Sequence, residues 1–242
     1  MYEENIQKTH DIISQIKKSG LKTVSIGFST GKDSLAGYDI MVKNGIDVIP
    51  VYFYIVPGIK FIEENIKMYE DYYNMHIIRL PHLMMDDYIN YTLFQPLHRV
   101  KEFSNYYNIT RKSFTERLQW FFNEENIDCK YDANCMKMSD SINRRLLLRS
   151  TPDIDHKKKI IYIGKYLTNK DCWQYIKENN IPLTRDYEIF GRSADDLMNY
   201  QYLSGIKCYY PDDYELIKEY FPLVEVELLR YEAFIKRYKF KK

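Results

Sequence analysis

The chain has 242 residues, is 45% hydrophobic and 29% charged, and sets 35 Lys plus Arg against 34 Asp plus Glu for a formal net charge of +1. That length buries a core without disulfide or metal staples. The composition excludes a disordered chain, and the charge balance excludes a globally basic nucleic-acid coat while allowing a local basic patch. The four cysteines, Cys129, Cys135, Cys172 and Cys208, contain no CxxC pair, so the spacing of a zinc or iron–sulfur site is missing. The opening MYEENIQKTHDII lacks the basic-then-apolar run of a signal peptide. No apolar run approaches the ~18 residues of a membrane span. The expectation is a soluble cytoplasmic protein in a reducing compartment, with no membrane partner.

Residues 3–18 carry Ile6, Ile12, Ile13 and Ile16 at helical spacing, and Gly20 ends that helix. TVSIGF (23–28) reads as a buried strand, STGKD as a polar turn, and 34–45 as a helix closed at Asn44-Gly45. DVIPVYFYIV (47–56) is the next strand. Residues 59–74 form an amphipathic helix on Phe61, Ile62, Ile66 and Tyr69, and HIIRL (76–80) is a strand stopped by Pro81. Strands and helices alternating with short connections predict a parallel sheet with crossover helices. Residues 82–130 break the rhythm and read as an insertion, with one helix at 114–126 opened by the capping-box pair Ser113 and Glu116. After it, 130–138 reads as a strand, 140–148 as a helix, and 157–167 as holding another strand. Asn169 then caps a helix over 170–180 that Pro182 ends, and two helices follow at about 212–220 and 222–238.

The residues richest in chemistry are Phe28 to Ser34, in the order strand, small-residue turn, helix. A helix start offers backbone N–H groups and a dipole that favours an anion. Ser29, Thr30 and Ser34 add hydroxyls, Lys32 adds a charge, and Gly31 supplies close backbone approach or a positive φ. The loop is not a Walker A motif. Only three residues separate Gly27 from Gly31, and Asp33 stands where that motif needs Ser or Thr. The G-x-G-x-x-G dinucleotide fingerprint is absent as well.

Ser29-Thr30-Gly31-Lys32-Asp33-Ser34 resembles the S-G-G-K-D-S pyrophosphate loop (PP-loop) of the adenine nucleotide alpha-hydrolase superfamily, with Thr30 in place of its first glycine. KYDANCMKMSDSINRR (130–145) resembles the G-I-R-x-D-E-S-x-x-R segment of the phosphoadenosine phosphosulfate reductase family. Asp140, Ser141, Arg144 and Arg145 match its polar core, and Lys137 approximates its first arginine. TNKDCWQYIKENNIP (168–182) is similar to that family's T-x-x-D-V-W-x-Y-I-x-x-N-x-L-P stretch. GRS (191–193), YPDDYELIKEYFPL (210–223) and RYE (230–232) resemble its C-terminal part. VPGIKF (56–61), with Val56 where the enzymes carry an acid, and LPH (80–82) are most like the family's phage-encoded members.

The resemblance implies an α/β fold with a doubly wound parallel sheet and C-terminal helices. It implies a single nucleotide-binding domain over 1–242, interrupted at 82–130 and helical over 211–242. The implied ligand is ATP or phosphoadenosine phosphosulfate, with magnesium. Phe28, Ser29, Thr30, Gly31, Lys32, Asp33, Ser34, Gly58, Lys137, Asp140, Ser141 and Arg192 are the implied nucleotide contacts. Lys32, Asp33, Arg144 and Arg145 are the implied catalytic groups, with Asp33 either a magnesium ligand or an orienter of the loop. The family's reductases use a cysteine in an E-C-G-L-H motif, whereas this chain reads RYEAFIKRYKFKK after residue 229 and keeps one cysteine, Cys208, in GIKCYYP. Self-contained reduction and an iron–sulfur cluster are therefore not expected. The expected chemistry is ATP pyrophosphatase or adenylyl transfer to an acceptor. The alternatives are a non-catalytic nucleotide-binding subunit of a DNA-modification or anti-defence complex, and a sulfonucleotide reductase using an external thiol. A protein partner or homo-oligomer would use 82–130 and the basic tail at 236–242; HKKK (156–159) is the thinner case for nucleic acid. A phage-encoded member would work in the host cytoplasm.

Overall fold

A computed structural model describes residues 1–106, 112–193 and 199–239. The elements run α1 (Tyr2–Lys18), β1 (Thr23–Gly27), α2 (Lys32–Lys43), β2 (Asp47–Tyr54), α3 (Lys60–Tyr73) and β3 (Ile78–Pro81). Next come α4 (Leu83–Asn90), α5 (Leu97–Tyr106), α6 (Phe114–Glu124), β4 (Asp132–Ala133), α7 (Ile142–Ser150), β5 (Ile154–Asp155) and β6 (Ile160–Ile161). The last are α8 (Asn169–Glu178), α9 (Arg185–Phe190), α10 (Tyr200–Tyr209), α11 (Pro211–Tyr220) and α12 (Val224–Lys239). No helix among the described residues is long and apolar enough to cross a membrane.

The fold is α/β. Six strands form one sheet in the order β3-β2-β1-β4-β6-β5. β1 pairs parallel with β2 on one side (Val24 opposite Val48, Ile26 opposite Pro50) and with β4 on the other (Ser25 opposite Asp132). β4 and β6 are parallel, and β5 closes that edge antiparallel to β6. β1 buries three consecutive residues, Val24, Ser25 and Ile26, as a strand covered on both faces must. α2, which returns the chain from β1 to β2, is buried continuously from Ser34 to Met41. Topology therefore reverses at β1, where β2 lies to one side and β4 to the other. In open α/β sheets that switch leaves a crevice beyond the carboxyl ends of the two strands.

By its contacts the chain forms two compact units. The first comprises Met1–Phe53, Tyr72–Leu80 and Lys112–Leu183, and the second Tyr54–Asp71, Pro81–Arg111 and Thr184–Lys242. In the first, Val51, Leu80, Leu118, Phe122 and Cys129 make a buried cluster extended by Ile49, Phe53 and Ile78. α1 buries Ile12, Ile13 and Ile16, and is tied to α8 by Tyr2 Oη donating to Glu178 and Asn5 Nδ2 to Asp171, each at 2.8 Å. In the second unit, Asp213 on α11 accepts the N–H groups of Lys60 and Phe61, both at 2.8 Å, and so caps the start of α3. Tyr88 meets the rings of Phe94 and Phe221 edge-on at 5.7 and 5.5 Å, and Gly205 leaves room for Phe190, whose ring a Cβ there would strike at 2.2 Å.

Several expected elements are shorter or differently bounded. The strand expected over 130–138 is only Asp132–Ala133, and the one within 157–167 only Ile160–Ile161. Polar side chains turn the chain out of the sheet at once: Asn134 Oδ1 accepts Met136 N–H at 2.7 Å and Asp140 accepts Lys137 N–H at 3.1 Å. Gly164 must be glycine, because a Cβ would lie 2.5 Å from the Cys135 carbonyl oxygen. α8 is capped by Thr168 with Asp171 in a capping box, one residue ahead of the expected Asn169. The capping box of Ser113 and Glu116 is present on α6. Of the span 82–130, α4 and α5 belong to the second unit and α6 to the first, and 107–111 lie outside the described residues. Residues 240–242 of the basic tail also lie outside them.

Candidate functional site

Two chain segments leave neighbouring parallel strands at the switch point. The first leaves β1. Phe28 continues the strand by one hydrogen bond, its N–H donating to Val51 O at 2.8 Å. Its ring is fully buried and packs edge-on against Tyr38 at 5.3 Å. Phe28 was expected as a nucleotide contact; its side chain belongs to the core, and only its backbone lies at the loop.

The turn itself is Ser29, Thr30 and Gly31. Gly31 was expected to supply any positive φ, yet it is extended (φ −80°, ψ 152°) and is the N-cap of α2. Thr30 takes the left-handed conformation at φ 59°. For a β-branched residue that is a strained state. Thr30 is also 1% exposed, and its Oγ1 has no hydrogen-bond partner among the described residues. A buried hydroxyl left unmatched costs about 1–3 kcal/mol. The loop thus holds both backbone strain and an unsatisfied hydroxyl. Ser34 Oγ donates to Gly31 O at 2.9 Å and lies 3.2 Å from Ser29 Oγ. Gly31, as the N-cap of α2, brings no side chain to close it.

The second segment leaves β4 and reaches α7. Lys137, 2% exposed, pairs through Nζ with Asp33 in a very short contact and with Asp140 Oδ1 at 3.1 Å. Asp140 Oδ2 pairs with Arg144 at 2.6 Å. Asp33 Oδ1 in turn lies 3.1 Å from Lys32 Nζ. Charges therefore alternate along Lys32, Asp33, Lys137, Asp140 and Arg144, tying the start of α2 to the start of α7 with one positive charge in excess. Ser141 caps α7 by accepting Arg144 N–H at 3.1 Å. Arg145 donates from Nε to Met138 O at 3.4 Å, and both arginines are exposed.

The electrostatics follow from this chain of pairs. Burial resists charge on Asp33, but the Lys137 and Lys32 ammonium groups outweigh it and hold the carboxyl below its usual range. Asp140 is lowered too: burial opposes, and hydrogen bonds from Lys137 and Arg144 prevail. For Lys137, burial favours the neutral form, yet Asp33 and then Asp140 raise its pKa. All three groups are ionised together at neutral pH. Asp33 meets Lys137 through Oδ2 and Lys32 through Oδ1, and Oδ1 is buried with no hydrogen-bond partner among the described residues. Among the described residues, no group of three or more His, Cys, Asp or Glu is arranged to hold a metal ion.

The thiols behind the loop were not expected to matter. Burial pushes Cys135 up to about 12, and burial together with the Asp33 charge raises Cys172. The Cys135 sulfur occupies the space that a Cβ on Gly37 would need, 2.5 Å away. Both act as small apolar wedges under α2. Sequence spacing carried no signal for this, since Cys135, Cys172 and Gly37 meet only through the fold. Gly58 (φ 76°) and Arg192 belong to the second unit. Arg192 is exposed after α9, beside a cavity of about 190 Å³ that Ser193, Asn199 and Gln201 also line.

No family model and no curated protein matches the chain. Among solved structures, the NH3-dependent NAD synthetase from Campylobacter jejuni subsp. jejuni, solved in complex with a nitrate ion, aligns over 95% of this chain and 94% of that one. The identity is 15% and the TM-score 0.48. What this chain defines by itself is an α/β protein with a polar strand-to-helix turn, rich in hydroxyls and lysine, at the switch point of its sheet.

Proposed function

We propose that the protein binds ATP, or a related adenine nucleotide, with its terminal phosphates on the turn Ser29–Ser34, and transfers the adenylyl group to an acceptor with release of pyrophosphate. One observation carries the reading: the uncapped start of α2 opens at the switch point of the sheet, with Thr30 Oγ1 buried there and unmatched. An anion at that place meets the helix dipole and backbone N–H groups, and finds a hydroxyl in need of an acceptor.

In this reading, Ser29, Ser34, the Gly31 backbone and Lys32 hold the pyrophosphate as it leaves, and Lys32 offsets the charge that develops on it. Asp33, clamped by Lys137, fixes the pitch of the first turn of α2. Arg144 and Arg145, exposed on α7, neutralise the α-phosphate or an anionic acceptor as planar forks. Catalysis is then positioning and charge neutralisation, with no general base required for an acceptor already ionised. Magnesium, which screens phosphate charge, would ride on the nucleotide rather than on a protein cage. Gly58 and Arg192 remain part of the proposed nucleotide contact set, as does the single-domain reading of 1–242. Thiol chemistry is disfavoured because Cys129, Cys135 and Cys172 are all held as thiols by burial.

Calorimetric titration with ATP, a non-hydrolysable analogue and phosphoadenosine phosphosulfate tests this, each with magnesium, on wild type and Lys32→Ala. ATP binding that weakens at least tenfold in the variant supports the reading. Preference for the phosphosulfate nucleotide would move it to sulfonucleotide chemistry with an external thiol. Absence of binding to all three would refute it.

A further inference from the structure

A helix that crosses the face of an α/β sheet buries one apolar stripe. α7 does not cross. It is entered from the carboxyl end of β4 and leads into β5, which runs antiparallel to β6 and so starts at the same edge of the sheet. Of its nine residues only Leu148 is buried. Ile142 and Leu146, one turn apart, are 76% and 63% exposed, and Leu147, next around the helix, is 50% exposed. The charges on α7 have one sign. The helix holds Arg144, Arg145 and Arg149 and no acid. Arg144 is answered by Asp140 at 2.6 Å, whereas Arg145 and Arg149 have no acidic partner among the described residues. These two arginines, again one turn apart, line one edge of the apolar strip.

We propose that this face of α7 docks on an anionic lipid bilayer, with Ile142, Leu146 and Leu147 set into the acyl boundary and the arginines beside them on headgroup phosphates. Exposed aliphatic side chains flanked by unanswered arginines are the pattern of a helix that lies in the plane of the interface. Charge and polarity select this occupant. A second copy placed on α7 about a two-fold axis would set arginine against arginine. A nucleic acid would answer the charge and leave three aliphatic side chains against a polar backbone. A bilayer supplies both the apolar layer and the negative surface. That no described helix can cross a membrane does not bear on this, since such a helix lies on the surface. Nine residues bury little area, so the association is weak and reversible. It does not depend on the nucleotide chemistry proposed above.

Flotation of the full chain with vesicles tests this, using phosphatidylcholine with and without phosphatidylglycerol. The expected result is flotation only with phosphatidylglycerol present, weakening as salt is added. Leu146→Gln with Leu147→Gln is expected to lower the affinity about tenfold or more, with far-UV circular dichroism unchanged. Arg149→Gln is expected to lower it about fivefold, and Arg145, at the end nearer Asp140, is left intact. Should the double variant lose helical signal, Ile142→Gln, at the first position of the helix, is expected to lower the affinity about threefold with the fold kept. A wild-type chain that floats with neither vesicle would overturn the proposal and leave the face to an acidic protein segment. Equal flotation without phosphatidylglycerol, or flotation indifferent to the apolar substitutions, would overturn it as well.

Discussion

α2 and α7 begin where two neighbouring parallel strands end, and their first turns are finished in different ways. α7 is closed by its own sequence: Ser141 accepts Arg144 N–H, and Asp140 binds the guanidinium above it. α2 starts on Gly31 with no capping side chain, behind a strained Thr30 whose hydroxyl is buried and unmatched. Ser34 Oγ donates to Gly31 O. Identical backbone logic thus yields one helix start that is closed by its own side chains and one that opens on glycine. Between them Lys137 holds a carboxylate of each, so the two turns are tied together.

The largest expected effect comes from removing the tie. Lys137→Ala leaves Asp33 and Asp140 short of their shared cation. It is expected to cost about 3 kcal/mol in urea unfolding, at the low end for a broken buried pair because Lys32 and Arg144 remain. A loss under about 1 kcal/mol would mean that the turns are held together by packing alone. Next, Thr30→Gly should stabilise the protein by about 1 kcal/mol, since it relieves the left-handed strain and the unmatched hydroxyl together. If nucleotide affinity falls while stability rises, the loop's strain is tied to binding. On the other helix, Ser141→Ala should cost about 1 kcal/mol as a lost cap, with ATP affinity changed less than by Lys32→Ala.

The pH profile should separate two groups by the sign of their slopes. Asp33 and Asp140 have lowered pKa values in the fold, so their contribution is complete above the ordinary carboxylate range near ~4 and is lost as pH falls through the folded values. Asp132, beside Ser25 Oγ at 3.1 Å, is pushed by burial up to about 7. There the native state binds the extra proton, so stability declines as pH rises from ~4 to about 7. Thermal melts of Asp132→Asn should lack that decline and keep the acid limb. A wild-type curve that is flat across the same window would contradict the assignment.

Much of this was legible in the sequence, wherever neighbours along the chain decide the outcome. The buried run TVSIGF, the polar turn, the isoleucines of α1 and the Ser113–Glu116 box are local patterns, and they folded as their spacing required. The strand-to-helix turn itself was readable for the same reason. What the spacing could not carry is non-local. β4 is two residues long because side chains of Asn134 and Asp140 turn the backbone after it, and no periodicity announces that. Lys137 stood out only as the stand-in for an arginine. Its burial between Asp33 and Asp140 depends on the switch of strand order, which brings residues 104 positions apart into contact. Phe28 looked like part of the site because it borders the loop, whereas strand alternation sends its ring into the core.

The comparison of the two helix starts is tested most directly by titrating inorganic pyrophosphate into isotope-labelled protein and following backbone amide resonances. The account predicts large shifts at Gly31, Lys32, Asp33 and Ser34, with those of Ser141 and Ile142 changed little and the response gone in Lys32→Ala. Equal shifts at both helix starts, or none at Gly31–Ser34, would contradict it.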